Sequence, residues 1–165
     1  MNKTKNIKWI TRTAILLAIA LVFQLGGLPQ PVTGPVINAV LYLAALLVGI
    51  SSGIIIGIFT PIIAFMTGIL PAPLSPMIPF IAAGNGLLVL VFGLTKSAGK
   101  IPAIVVASIV KFSLLAAAVS FLIEVPEQIA QMMTFPQLLT ALGGGVIALL
   151  IYKGLVVSGI NVKLD

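Results

Sequence analysis

A single lysine in the middle of a long apolar stretch is the most chemically informative residue of the sequence. Residues 101–123 are predominantly apolar, with Lys111 as their only charged residue, and they are long enough to cross a bilayer as one helix. A lysine at the centre of a membrane helix costs about 2.5–3.5 kcal/mol, so something must offset that cost. The chain's only acids are Glu124, Glu127 and Asp165, and none lies inside an apolar stretch. We therefore expect Lys111 to face a water-filled cavity, backbone carbonyl groups or a ligand that brings its own acceptor.

The composition is that of an integral membrane protein. Of the 165 residues, 60% are hydrophobic and 7% are charged, whereas a soluble domain carries about 25% charged residues. The chain has neither cysteine nor histidine, which excludes disulfides, Cys/His zinc sites and a Ser-His-Asp triad. It also lacks a P-loop and a visible nucleophile–base pair. We therefore expect no enzyme activity, no cofactor and no metal site in this chain.

Apolar windows separated by proline, glycine and charged residues predict an all-α membrane protein, a six-transmembrane-helix bundle that forms a single domain over residues 1–165. The predicted spans are residues 9–28, 35–50, 51–70, 78–94, 101–123 and 136–157. The second and third spans are separated at Gly49-Ile-Ser-Ser-Gly53, which offers a turn and a serine N-cap.

The positions of the basic residues predict the orientation of this bundle. With six spans, one side of the membrane receives Lys3, Lys5, Lys8, Arg12, Lys96, Lys100, Lys153 and Lys163. The loops on the other side, residues 28–35, 71–77 and 124–135, hold no lysine or arginine. By the positive-inside rule both termini are cytoplasmic. The net charge of +6 is thereby explained by topology, and no basic face remains for binding a nucleic acid.

Polar residues of the spans share a depth in the predicted bundle. Those in the outer half are Gln24, Asn38, Tyr42, Asn85, Gln137 and Thr140, while Lys111 lies near the midplane. This pattern favours a pocket that opens to the outside with Lys111 at its floor. The alternative is a set of scattered polar groups that are satisfied inside the bundle.

The pocket interpretation assigns a role to each of seven residues. Lys111 would pair with a carboxylate, phosphate or carbonyl group of a small ligand. The polar edges of the ligand would be recognised by Asn38, Asn85, Gln137 and Thr140. Tyr42 and Phe80 would supply apolar walls, which small-ligand sites usually require.

The first span carries two alanines at i and i+4, Ala14 and Ala18. Small residues at this spacing share one helix face and allow another helix to approach closely. The face could serve packing within this chain or docking of another subunit.

Several segments resemble the substrate-binding S components of energy-coupling factor (ECF) transporters, which take up vitamins and related micronutrients in prokaryotes. They are Thr11-Arg-Thr-Ala-Ile-Leu-Leu-Ala18, Pro-Val-Thr-Gly-Pro-Val-Ile-Asn38, Pro79-Phe-Ile-Ala-Ala-Gly-Asn85, Lys111 and Phe135-Pro-Gln-Leu-Leu-Thr-Ala-Leu-Gly-Gly144. The resemblance implies a six-helix bundle in the cell membrane with a substrate pocket near its outer face. It also implies that Ala14 and Ala18 pack against a transmembrane T component, and that two cytoplasmic ATPases supply the energy.

Two hypotheses of different class follow. The first is high-affinity capture of a small water-soluble vitamin or precursor for uptake. The second is a structural or assembly subunit in which Lys111 pairs with an acidic residue on a partner helix. A membrane-embedded enzyme is a third, disfavoured by the missing catalytic groups.

Overall fold

The computed structural model describes residues 3–159 of the protein. Lys163, one of the basic residues that predict the orientation, and the acidic Asp165 lie outside these residues. The α-helices are α1 (Lys3–Leu25), α2 (Gln30–Leu47), α3 (Ile50–Met66), α4 (Ile78–Thr95), α5 (Lys100–Ala117), α6 (Glu127–Met132) and α7 (Phe135–Val157). A 3₁₀ helix (Ala72–Met77) leads into α4, and a π-helical segment (Ala118–Leu122) extends α5.

The architecture confirms the predicted all-α membrane bundle. Five helical segments are long and apolar enough to cross a membrane: Lys3–Leu25, Gln30–Leu47, Ala72–Thr95, Lys100–Leu122 and Glu127–Val157. The sixth is α3, a shorter apolar helix of 17 residues. Residues 3–159 contain no β-strand.

The junction between α2 and α3 differs in detail from its prediction. The expected serine N-cap is wrong, because Gly49 occupies the N-cap position of α3 and no side chain caps the helix. Gly49 has a φ of 136°, a conformation that glycine adopts without steric cost. Ser52 is instead fully buried, and its hydroxyl accepts a 2.9 Å hydrogen bond from Thr13 of α1. The serine therefore joins two helices rather than beginning one.

Helix α2 occupies the centre of the bundle and packs against α1, α3, α4 and α7. Its residues 37–45 are all buried, because neighbouring helices cover every side of it. Tyr42 packs edge-to-face against Phe92 of α4, with ring centroids 4.8 Å apart. The other main contacts are between α3 and α4, between α4 and α5, and between α5 and α7.

Two glycines allow the helices to come together at the depth of the polar residues. A Cβ atom on Gly144 of α7 would lie 2.6 Å from the Cβ atom of Asn38 on α2. A Cβ atom on Gly57 of α3 would lie 2.9 Å from the Cβ atom of Asn85 on α4. Both distances are shorter than the optimal separation of about 3.5–4.0 Å between carbon atoms. The absence of a side chain at these positions therefore sets the spacing of the helices that carry Asn38 and Asn85.

Basic side chains bind the last carbonyl groups of α2 at the opposite end of the bundle. The Lys96 ammonium donates a hydrogen bond to the carbonyl oxygen of Ala45, and Arg12 donates to that of Leu47. The last four carbonyl groups of a helix lack partners within it, and cations near that end also interact favourably with the helix dipole. Partial burial, and to a lesser extent the nearby Lys100, lower the pKa of Lys96.

Candidate functional site

Lys111 lies inside the bundle, with only 3% of its surface exposed. Its ammonium group donates one hydrogen bond to the Oδ1 atom of Asn38 on α2 and one to the Oδ1 atom of Asn85 on α4, each 2.7 Å long. Hydrogen bonds from a charged donor are stronger than those between neutral groups, so these two bonds offset part of the cost of burying the ammonium. The sequence predicted that the three residues share a pocket but not that they contact one another.

Hydrogen bonds donated by the amide nitrogens fix the orientation of both asparagine side chains. The Asn38 Nδ2 atom donates to the carbonyl oxygen of Gly34 at 2.9 Å and to the Thr140 hydroxyl at 3.4 Å. The Asn85 Nδ2 atom donates to the carbonyl oxygen of Gly57 at 3.1 Å. With each amide nitrogen committed in this way, each amide oxygen is directed at Lys111.

A proline in α3 leaves a backbone carbonyl group free to accept a hydrogen bond from Asn85. Pro61 lacks a backbone N–H, so the carbonyl oxygen of Gly57, four residues earlier, has no donor at the usual helical position. The Asn85 amide donates to this free carbonyl oxygen. The proline inside the helix thus contributes indirectly to the surroundings of Lys111.

A cavity of about 80 Å³ adjoins this cluster. Its polar lining residues come from α1, α2, α3, α4, α5 and α7, and they are Gln24, Gln30, Thr33, Asn38, Thr60, Asn85, Lys111 and Gln137. Its apolar lining residues include Ile37, Leu70, Leu74, Ile81, Met132 and Met133. These residues lie toward the ends of the helices opposite to Lys96 and Lys100, because successive helices run in alternate directions.

Lys111 is the only ionisable residue among those that line the cavity. Both of its side-chain partners are neutral amides, so they accept hydrogen bonds without cancelling its charge. A protonated lysine has three N–H donors, and the two asparagines accept from two of them. The arrangement can therefore bind a hydrogen-bond acceptor, and a negatively charged one most strongly.

Two other polar atoms at the cavity have no hydrogen-bond partner among the described residues. They are the Oε1 atom of Gln24 on α1 and the Oγ1 atom of Thr60 on α3, and both are buried. Most buried polar atoms in proteins have a partner, so an unpaired one needs an explanation such as water or a ligand. Here both unpaired atoms lie at the same cavity as Lys111.

Of the other predicted site residues, some lie at the cavity and some lie away from it. Gln137 lines the cavity, and Thr140 lies beside it as a partner of Asn38. Tyr42 does not line the cavity; it is fully buried, with its hydroxyl 3.0 Å from that of Ser108. Phe80 is half-buried and packs beside the apolar cluster that includes Leu74. It is not among the residues that line the cavity.

Sequence reasoning missed several cavity residues. Thr60 was overlooked although it lies at the middle of the third predicted span, the depth also predicted for Lys111. A depth rule extended to the midplane would have found it. Met132 is the last residue of the short helix α6, and Met133 is its C-cap. Both lie in a segment predicted as a loop. Nothing in their sequence spacing indicates that this segment folds over the cavity.

Ala14 and Ala18 lie on the exposed side of α1. Only two residues of α1, Thr13 and Ala20, are buried, because this helix packs at the edge of the bundle against α2 and α3. The two alanines are therefore not used for packing within the described part of the chain.

Comparison with models of protein families identifies the family of this chain. A family model described as "ECF transporter, substrate-specific component" matches residues 8–160, nearly the whole chain. This confirms the resemblance drawn from the sequence. No curated protein and no solved structure matches the chain.

Proposed function

Because the chain belongs to the family of ECF transporter substrate-specific components, we propose that it captures a small water-soluble vitamin or precursor in the cavity beside Lys111. Membership of this family makes it a membrane substrate-binding subunit of an ECF transporter. The identity of the substrate, the residues that hold it and the high affinity of binding are our proposals.

The observation that carries this proposal is the buried ammonium of Lys111, held by two neutral amides. A carboxylate partner would satisfy the lysine permanently and leave no charge for a ligand. Asn38 and Asn85 instead hold the Lys111 nitrogen by two hydrogen bonds, and neither amide carries a charge that would neutralise it. The substrate is thus expected to present a carboxylate, phosphate or strongly polarised carbonyl oxygen to Lys111.

Gln24 and Thr60 extend the description of the substrate. The Oε1 atom of an amide only accepts hydrogen bonds, whereas a threonine hydroxyl can donate or accept. A substrate with an N–H or O–H group away from its anionic end would satisfy Gln24, and Thr60 would bind a second polar group. We propose that both residues contact the substrate together with Asn38, Asn85, Lys111 and Gln137. Thr140 would act through Asn38 rather than by direct contact.

The assembly-subunit alternative fits the environment of Lys111 less well. An acidic residue on a partner helix would have to approach from outside the bundle, but Lys111 is 3% exposed and directed toward α2 and α4. Such a partner could reach the ammonium only if the bundle opened. A ligand in the adjoining cavity needs no such rearrangement of the helices.

We also propose that the whole chain forms one membrane domain that works with a transmembrane T component and two cytoplasmic ATPases. The exposed Ala14 and Ala18 would meet the T component, since small residues allow close helix contact. The basic residues that gather at one end of the helices support cytoplasmic termini. The cavity would then open toward the outside of a prokaryotic cell.

The test is identification of small molecules released from the purified protein by mass spectrometry, with Lys111→Met as the variant and Lys8→Met as its control. Both variants lose one positive charge, but only Lys111 lies at the cavity. A hydrogen bond to a charged group contributes about 1.5–3 kcal/mol, so we expect Lys111→Met to weaken substrate binding at least tenfold. The Lys8→Met variant should retain the substrate.

Folding of both variants would be checked by circular dichroism and size-exclusion chromatography. A folded Lys111→Met variant that binds the same metabolite with unchanged affinity would remove the lysine from the site and contradict the proposal.

A further inference from the structure

Two further cavities lie at the other end of the bundle, between α5 and α7. The first, of about 520 Å³, includes Lys100, Ile101, Tyr152, Lys153 and Val156 in its lining. The second, of about 380 Å³, lies beside it. Residues Ile101, Leu149 and Lys153 line both, so the two cavities form one continuous groove.

The groove is basic at one end and apolar along its length. Two lysines lie at its mouth. Lys100 is the first residue of α5, and Lys153 lies near the last turn of α7. The second cavity is lined, apart from Lys153, only by isoleucine, valine and leucine side chains. A groove with a cationic mouth and an apolar length is complementary to a molecule with an anionic head and a hydrocarbon tail.

Specific contacts shape both ends of the groove. The Lys100 ammonium lies 5.5 Å from the centre of the Tyr152 ring on α7, close enough for a cation–π interaction. Farther along, a Cβ atom on Gly145 would lie 2.3 Å from a side-chain carbon of Ile104, so α5 and α7 are in close contact there. The groove is thus an open one on the bundle surface, with α5 and α7 in close contact at its apolar end and a lysine over an aromatic ring at its mouth.

We propose that this groove binds one anionic phospholipid, with its phosphate at Lys100 and Lys153 and an acyl chain along Ile104, Val105, Val146 and Leu150. The argument is charge complementarity together with depth. Basic pockets between transmembrane helices on the cytoplasmic side bind anionic lipid headgroups. The lysines lie at the same end of the bundle as Lys96, where headgroups would be. This inference uses the cytoplasmic orientation proposed above but not the proposed substrate site, since Lys111 is about 16 Å along α5 from Lys100 at about 1.5 Å per residue.

The test is native mass spectrometry of the full-length protein with phosphatidylglycerol and with phosphatidylcholine of the same acyl chains. A basic residue near an anionic membrane surface contributes about fivefold to binding, so we expect phosphatidylglycerol to bind about thirtyfold more tightly. The Lys100→Gln/Lys153→Gln variant should lose this preference. Lys3→Gln/Lys5→Gln removes the same charge from α1 and should retain it.

Two further experiments distinguish binding of a whole lipid from binding of a free phosphate compound. Glycerol phosphate at millimolar concentration, which lacks acyl chains, should not displace the lipid. The Val146→Trp variant, which fills the apolar channel, should weaken phosphatidylglycerol binding at least tenfold. Equal binding of the two lipids, equal loss in both double-lysine variants, or displacement by glycerol phosphate would each overturn the proposal.

Discussion

The close approach of α3 and α4 at Gly57 makes a quantitative prediction for Gly57→Ala. The added Cβ atom would lie 2.9 Å from the Cβ atom of Asn85. Carbon atoms prefer about 3.5–4.0 Å, so the two helices must separate there by about 0.6–1.1 Å. The hydrogen bond from Asn85 Nδ2 to the Gly57 carbonyl oxygen is 3.1 Å long. A displacement of that size would lengthen it to about 3.7 Å or more, beyond hydrogen-bond distance.

A matched control isolates this steric effect from helix propensity. Gly86 is next to Asn85 in α4, and a Cβ atom there would meet no atom within 4 Å. Replacing a helical glycine by alanine stabilises a helix by about 0.5–1 kcal/mol, and this gain applies to both positions. Overpacking costs about 1–3 kcal/mol and applies only to Gly57. We therefore expect Gly57→Ala to be less stable than Gly86→Ala by about 1–3 kcal/mol.

The assay is reversible unfolding in mixed micelles followed by circular dichroism, combined with substrate titration. Gly57→Ala should also weaken substrate binding, by up to about tenfold, because Asn85 no longer holds the Lys111 ammonium in place. Gly86→Ala should bind as the natural protein does. Equal stabilisation by the two substitutions would refute the argument that close approach at Gly57 positions Asn85.

Three further outcomes follow from the same contacts. Thr60→Val should weaken substrate binding about threefold to tenfold, as measured by isothermal titration. It should not lower the free energy of unfolding, because the hydroxyl that it removes is buried with no partner among the described residues. Tyr42→Phe should lower the free energy of unfolding by about 1 kcal/mol and leave binding unchanged, since the lost hydroxyl bonds to Ser108 rather than lining the cavity; a change in affinity would contradict this. Ala18→Leu should reduce co-purification of the T component while substrate binding to the isolated protein stays the same; undiminished co-purification would argue for another contact face.

Hydropathy and charge predicted the helices well because a bilayer requires long apolar segments with internally satisfied backbones. Side-chain interactions that cross between helices are a different matter. The segment Gly49-Ile-Ser-Ser-Gly53 predicted a turn between the second and third spans, and Gly49 forms it with a φ of 136°. Gly53 and Gly57 lie within α3, where they approach Val89 and Asn85 of α4. The position of a glycine within a span does not show which side chain of a neighbouring helix it meets.

The same limit applies to the site. Depth predicted that Asn38, Asn85 and Lys111 lie near one another, and the structure joins them by hydrogen bonds. Depth can be predicted because it depends only on position within a span. Direct contact among them depends on the rotation of α2, α4 and α5, which is set by contacts such as that of Gly144 with Asn38. Depth also grouped Tyr42 with the pocket, although its side chain turns toward Ser108 and Phe92. Helix rotation, rather than helix position, is what the sequence leaves open.

The size of the cavity has a consequence for how the substrate enters. At about 80 Å³ it holds a few water molecules, whereas sites for small organic ligands occupy about 300–1,000 Å³. The helices cannot separate far without breaking the contacts of Lys111 with Asn38 and Asn85. We therefore expect expansion at the segments between the long helices, where Leu70, Leu74, Met132 and Met133 line the cavity. Unbranched methionine side chains adapt readily to new shapes. We expect substrate binding to move the loop that contains α6 while the lysine and its two amides stay in place.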